Sequence, residues 1–132
     1  WCRMINPFDL TPEIEALTER HMTALLRGYL SCSLVDTVIF SYGLHGPRRR
    51  ILDRVMDNLR DVPFHLLPLT LTCSEEENIR RMRQDGRDEQ RIQGALATRA
   101  IYEGLGFPVI DTTEMSVEET VEQILTIHRG SR

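Results

Sequence analysis

Arg80, Arg83, Arg87 and Arg91 recur at intervals of three, four and four residues. On a helix turning about 100° per residue they share one face, provided that Asp85-Gly86 interrupts the helix only mildly. Four guanidinium groups on one face repel each other unless an anion sits among them. The fixed fork of arginine donors suits phosphate. The plainer account is a solvated face, with Glu76 and Glu77 four residues before Arg80 and Arg81 neutralising its first turn. That account leaves Arg83, Arg87 and Arg91 with few local partners, so a phosphate-facing role is the expectation. All 16 basic residues are arginine and none is lysine. High-GC coding explains that bias equally well.

The elements that would carry these residues follow from caps and periodicity. Thr11 is an N-cap with Pro12 at the first helical position, and Ile14, Leu17, His21, Leu25 and Tyr29 recur at helical spacing to about Leu30. Val35 to Tyr42 is apolar and β-rich, closed by Gly43 and Gly46, which predicts a strand covered on both faces. Pro47 opens a second helix carrying Ile51, Leu52, Val55, Met56 and Leu59. A second strand is expected over Phe64 to Cys73, with Pro68 marking an edge or a bulge. Ser74 with Glu77 forms a capping box for the third helix, and Asp88 caps a fourth that ends at Gly104 or Gly106. Pro108 to Asp111 reads as a third strand. Ser116 with Glu119 caps a last helix lined by Val117, Val121, Ile124, Leu125 and His128. Such alternation predicts a single α/β domain over residues 1–132 with right-handed crossovers and a parallel sheet.

The run Leu69 to Ser74, continued by Arg80-Arg81-Met82-Arg83-Gln84-Asp85-Gly86-Arg87-Asp88, resembles the part of small P-loop kinases where a strand leads into an arginine-bearing lid. That family includes adenylate kinases, shikimate kinases and antibiotic phosphotransferases. Pro108-Val109-Ile110-Asp111-Thr112-Thr113 followed by Ser116-Val117-Glu118-Glu119 is similar to their last strand and helix. The resemblance covers about residues 35–127 and rests on short motifs in a shared order. It implies a three-layer parallel sheet of P-loop kinase type, ATP and Mg2+ as cofactors, and a small-molecule acceptor. It also implies that the lid-like segment, about residues 80–91, clamps the transferring phosphoryl group. Arg83 and Arg87 are then the catalytic candidates, with Arg80 and Arg91 as weaker nucleotide-binding ones. Thr112 and Thr113 would border the nucleotide base, although turn hydrogen bonds account for both threonines at least as well.

By the same resemblance, Arg3 and Asn6 would contact the acceptor and Trp1 would stack on it, while an Asn6-Pro7 turn is the plainer account. Ser41-Tyr42-Gly43 stands where many relatives carry a magnesium-binding aspartate, with Asp36 at the other end of that strand. Tyr42 is a substrate-binding candidate on this ground, Ser41 a holder of a metal-bound water, and His45 a candidate base. No metal ligand is assigned.

The departure from the family is as informative as the match. A P-loop needs a glycine-rich turn followed by Lys-Ser or Lys-Thr, and a chain without lysine holds none. The expected sheet is therefore incomplete, with the P-loop strand belonging to an upstream segment. The chain reads as the C-terminal two-thirds of an ATP-dependent small-molecule or nucleotide kinase-like phosphotransferase that is inactive alone. The alternative is a non-catalytic α/β binding or regulatory module for an anionic ligand or protein partner.

Composition limits the remaining classes. An apolar share of 41% and a charged share of 27% suit a globular protein. No run approaches the roughly 18 apolar residues of a membrane span. A net charge of −4 argues against a general nucleic-acid binder. Cys2, Cys32 and Cys73 are odd in number and widely spaced, which suggests neither disulfides nor zinc and fits a reducing cytoplasm. An incomplete sheet would favour a homo-oligomer joined through exposed edges.

Overall fold

The computed structural model describes residues 11–131. The chain divides into two compact units, Trp1–His65 and Leu66–Arg132. Together they make a mixed α/β protein whose only sheet among the described residues has two parallel strands.

The first unit is a pair of helices. α1 (Pro12–Leu30) starts as expected, with the Ile14 N–H donating to the Thr11 hydroxyl at 3.3 Å and Pro12 placed where an N–H would have no partner. α2 (Arg48–Asp57) follows Pro47. The two helices pack through Met22 and Leu26 against Ile51 and Val55, and Leu59 and Val62 complete the cluster. The inward face of α1 differs from the expected one. It runs Glu15, Thr18, Met22, Leu26, one position round from Ile14, Leu17, His21, Leu25, Tyr29. Glu15 accepts from Arg50 Nε at 3.0 Å, and Glu19 accepts from Arg54 Nε at 2.6 Å. Arginines of α2 thus make a carboxylate tolerable on the face that buries Met22 and Leu26.

Val35 to Tyr42 is not a strand. Its backbone finds no ladder partner among the described residues, and a strand exists only through pairing. Val38 and Tyr42 pack against the helical core, while Leu34 and Ile39 are 93% and 92% exposed.

In the second unit β1 (Thr70–Thr72) pairs in parallel with β2 (Val109–Asp111), Leu71 opposite Ile110. The expected strand over Phe64 to Cys73 shrinks to its last third. Pro68 cannot donate to a ladder, and pairing starts two residues later, where the Thr70 N–H reaches the Pro108 carbonyl at 2.9 Å. Three helices connect the strands: α3 (Glu75–Gln84), α4 (Glu89–Ala97) and α5 (Arg99–Glu103). The expected single helix after Asp88 is broken at Thr98, whose N–H and hydroxyl both turn back to the Ala95 carbonyl. α6 (Val117–Gly130) carries the complete Ser116–Glu119 capping box. Met82, Ile92 and Ile110 are the unit's buried apolar side chains.

The arginine face does not survive the turn between α3 and α4. Gly86 has φ +72°, the Arg87 N–H bonds to the Met82 carbonyl, and the Gly86 N–H bonds to that of Arg83. This is a Schellman ending, which reverses the chain rather than bending it mildly. Arg80 and Arg83 lie on α3, Arg87 in the turn and Arg91 on α4. Each also has an acidic neighbour. Arg83 meets Glu89 at 3.4 Å, Arg87 meets Asp85 at 3.9 Å and Arg91 meets Asp88 at 3.5 Å.

Candidate functional site

The carboxyl ends of β1 and β2 are tied together by side chains drawn from three elements. Thr112 follows β2. Its N–H and its hydroxyl both donate to the Thr72 carbonyl, each at 2.8 Å. Thr113 donates its hydroxyl to Asp111 at 2.5 Å and accepts the Ser74 N–H at 2.8 Å. Ser74 therefore spends its N–H across the sheet. Its hydroxyl still accepts from the Glu77 N–H at 3.2 Å, but the expected capping box is only half made. These contacts favour the ionised form of Asp111: the Thr113 hydroxyl and N–H, then the charge of Arg99, draw its pKa below the ordinary carboxylate value.

The other half of the box is missing because Glu77 is engaged elsewhere. It accepts from Arg80 Nε at 2.7 Å and from Arg81 Nε at 2.7 Å. The hydrogen bonds from Arg80 and then Arg81 bring its pKa down to about 2. Arg81 continues across to β2, donating from Nη1 to the Thr112 hydroxyl at 3.1 Å and from Nη2 to the Thr112 carbonyl at 2.7 Å. All three nitrogens of Arg81 are thus used along the edge of its guanidinium plane. Its two flat faces take no part in that bonding.

Arg81 also lines a cleft of about 370 Å³, within the ~300–1,000 Å³ usual for small-molecule sites. β1, Asn78 of α3, Arg99 and Tyr102 of α5, and Thr112 form its walls. Arg99 is drawn to Glu103 at 3.4 Å on the same wall.

No family model, curated protein or solved structure matches the chain. The site's chemistry therefore rests on its own residues.

The candidates expected from sequence are distributed unevenly around this cleft. Thr112 lines it, and Thr113 braces the loop without lining it. Arg80 stands beside Arg81 on the shared Glu77 carboxylate, with a further bond to Gln84 at 3.2 Å. Arg83, Arg87 and Arg91 are not among the lining residues. Tyr42 belongs to the other unit, stacked on Phe40 at 5.5 Å against the helical core. Arg3, Asn6 and Trp1 lie outside the described residues. His45 sits near Arg48 (2.7 Å from Nε2 to Nη1), and burial followed by that cation moves its pKa down.

Of the other cleft residues, Asn78 and Tyr102 carry no signal in the sequence, and Arg81 and Arg99 are expected from it to stand apart from the phosphate-facing arginines. The i,i+4 pair Glu77–Arg81 was the available signal, but alone it predicts neutralisation and not a cleft wall.

For magnesium, no group of three or more His, Cys, Asp or Glu side chains comes together among the described residues. Asp36 and Ser41 flank a segment that forms no strand. No step is derived through a magnesium ion. No helix among them is long and apolar enough to cross a membrane.

Proposed function

We propose that the second unit supplies the base-binding wall of an ATP-dependent, kinase-like phosphotransferase acting on a small molecule. The carrying observation is Arg81. Three of its five N–H groups are held by Glu77 and Thr112, which fixes the plane of the guanidinium. Arg81 also lines a cleft of ligand size. A planar guanidinium held in this way suits stacking under a flat ring. The order strand, arginine-bearing helices, parallel strand with Asp111-Thr112-Thr113, and capped helix agrees with the resemblance to small P-loop kinases.

In this reading ATP and Mg2+ meet the phosphate-binding machinery on another part of the complete enzyme. This chain's residues bind and orient the base. Arg83 and Arg87 remain the proposed phosphoryl clamp, because exposed ion pairs such as theirs exchange readily for a phosphate. A second reading is favoured by those same pairs. Arg83, Arg87 and Arg91 already have acidic neighbours, as a non-catalytic module with no phosphate to clamp would have.

Calorimetric titration of the 132-residue chain with ATP tests the proposal. Binding is expected, weakened at least tenfold by Arg81→Ala, with no ATP hydrolysis because the chain lacks a phosphate-cradling loop. Failure to bind ATP, or unchanged affinity in Arg81→Ala, contradicts base binding. Phosphoryl transfer by the full-length protein, lowered in kcat by Arg83→Ala and Arg87→Ala, separates the enzyme from the non-catalytic module.

A further inference from the structure

α6 is amphipathic, yet none of its residues is buried. Val117, Val121, Ile124, Leu125 and His128 fall within about 100° around the helix, the width of a stripe that ordinarily faces a core. Val117 is 75% and Val121 47% exposed, while Ile124, Leu125 and His128 are only half-buried. α3 and α4 are both shorter, and each buries an apolar side chain, Met82 and Ile92.

Two charges flank this stripe on one side. Glu118 and Arg129 stand three turns apart along the helix and about 20° apart around it. Neither side chain has a partner among the described residues, whereas the adjacent Glu119 is spent on the Ser116 capping box. The stripe and the charge pair share a centre, near Gln123. A two-fold axis through that point lays a second α6 antiparallel on the first, stripe on stripe. Such an axis returns each flank to itself, so Glu118 of one copy faces Arg129 of the other, twice. A parallel pair would set Glu118 against Glu118 and Arg129 against Arg129.

We propose that α6 is a self-association face of this chain, pairing antiparallel with α6 of a second copy through Val117, Val121, Leu125 and reciprocal Glu118–Arg129 contacts. None of these residues lines the cleft, so the pairing stands apart from ATP binding. It uses a helix face, where an incomplete sheet would have used strand edges. At 1.5 Å per residue α6 is about 21 Å long, too little surface alone for the ~800 Å² per partner of a standard interface. The association should therefore be weak, with a dissociation constant on the order of 10–100 µM.

Sedimentation equilibrium of the 132-residue chain, over concentrations spanning that constant, is the test. A reversible monomer–dimer equilibrium is expected. Val121→Glu should weaken it at least about tenfold by placing a carboxylate in the stripe. Glu118→Arg and Arg129→Glu should each weaken it roughly tenfold, because each sets like charges together at both ends. An equal mixture of those two variants should recover the wild-type affinity, since their heterodimer again matches opposite charges at both ends. Circular dichroism checks each fold, and a variant that had merely lost α6 could not be rescued by mixing.

A chain that stays monomeric overturns the proposal. So does a dimer that Val121→Glu leaves intact, including one dissolved by Leu34→Ser or Ile39→Ser, the most exposed apolar side chains of the first unit. Charge variants that leave the dimer unchanged, or that lose it without recovery on mixing, overturn the antiparallel pairing.

Discussion

Each unit draws one glutamate carboxylate to two arginines, and the consequences differ. In the first, Glu15 of α1 meets Arg50 and Arg54 of α2, so the charges lock two helices together. In the second, Glu77 meets Arg80 and Arg81 on its own helix, and Arg81 reaches on to Thr112 at the end of β2. The first cluster consumes its arginines in building the fold. The second fixes one arginine with its plane held and a ligand-sized cleft alongside. An arginine–carboxylate pair is therefore no sign of a site by itself; the unused surface of the arginine decides.

The comparison breaks most visibly if the two units do not each have a core. Ile51 and Ile110 are both 1% exposed. Replacing either by Ala should cost about 2–5 kcal/mol in urea unfolding. A cost at Ile110 far below that range would mean that the short sheet does not organise the second unit.

A smaller effect is expected at the turn that divides the arginine face. Gly86 has φ +72° with open space where a Cβ would stand, so Gly86→Ala adds backbone strain without a clash. About 1–2 kcal/mol of destabilisation should follow. A neutral result would mean that the turn opens easily and that the arginines can realign on one face.

Acid should weaken both carboxylate clusters. Glu77 titrates near 2 in the folded chain against an ordinary 4.5, and Glu15 is also shifted down, with Arg50 the main cause. A depressed folded pKa gives stability that is fully present above the unfolded value and lost as pH falls through the folded one. Thermal midpoints should therefore fall from about pH 4.5 toward pH 2, less steeply in Glu77→Gln. An identical slope in that variant would show that Glu77 does not hold its arginines in solution.

The smallest effect is expected at Arg83 and Arg87. Their ion pairs are long and exposed, and such pairs add little, so alanine at either site should leave the melting temperature unchanged. A clear drop would make them structural and remove them as free phosphate ligands.

Much of the helical framework was legible because its signals are local. Thr11, Ser74, Asp88 and Ser116 were each readable as caps, and each accepts an N–H from its own first turn. What depends on distant partners was not. Val35–Tyr42 has the composition of a strand but no partner among the described residues, and composition cannot supply one. The inward face of α1 was misjudged because Glu15 is made tolerable there by Arg50, which lies 35 residues away. The site divides along the same line. Thr112 was marked by its place after the last strand, whereas Arg81 gains its role from a contact 31 residues distant. A spacing rule that assumed one continuous helix favoured Arg83 and Arg87, and Gly86 removes that assumption.

The most direct test of the central claim is side-chain NMR of the 132-residue chain during titration with adenosine and, separately, inorganic phosphate. A ring stacked on a guanidinium shifts the neighbouring protons upfield. The account predicts upfield movement of the Arg81 Hδ and Nε–H signals with adenosine, accompanied by Asn78 and Thr112, while phosphate moves Arg83 and Arg87. Arg81 silent toward adenosine would contradict it.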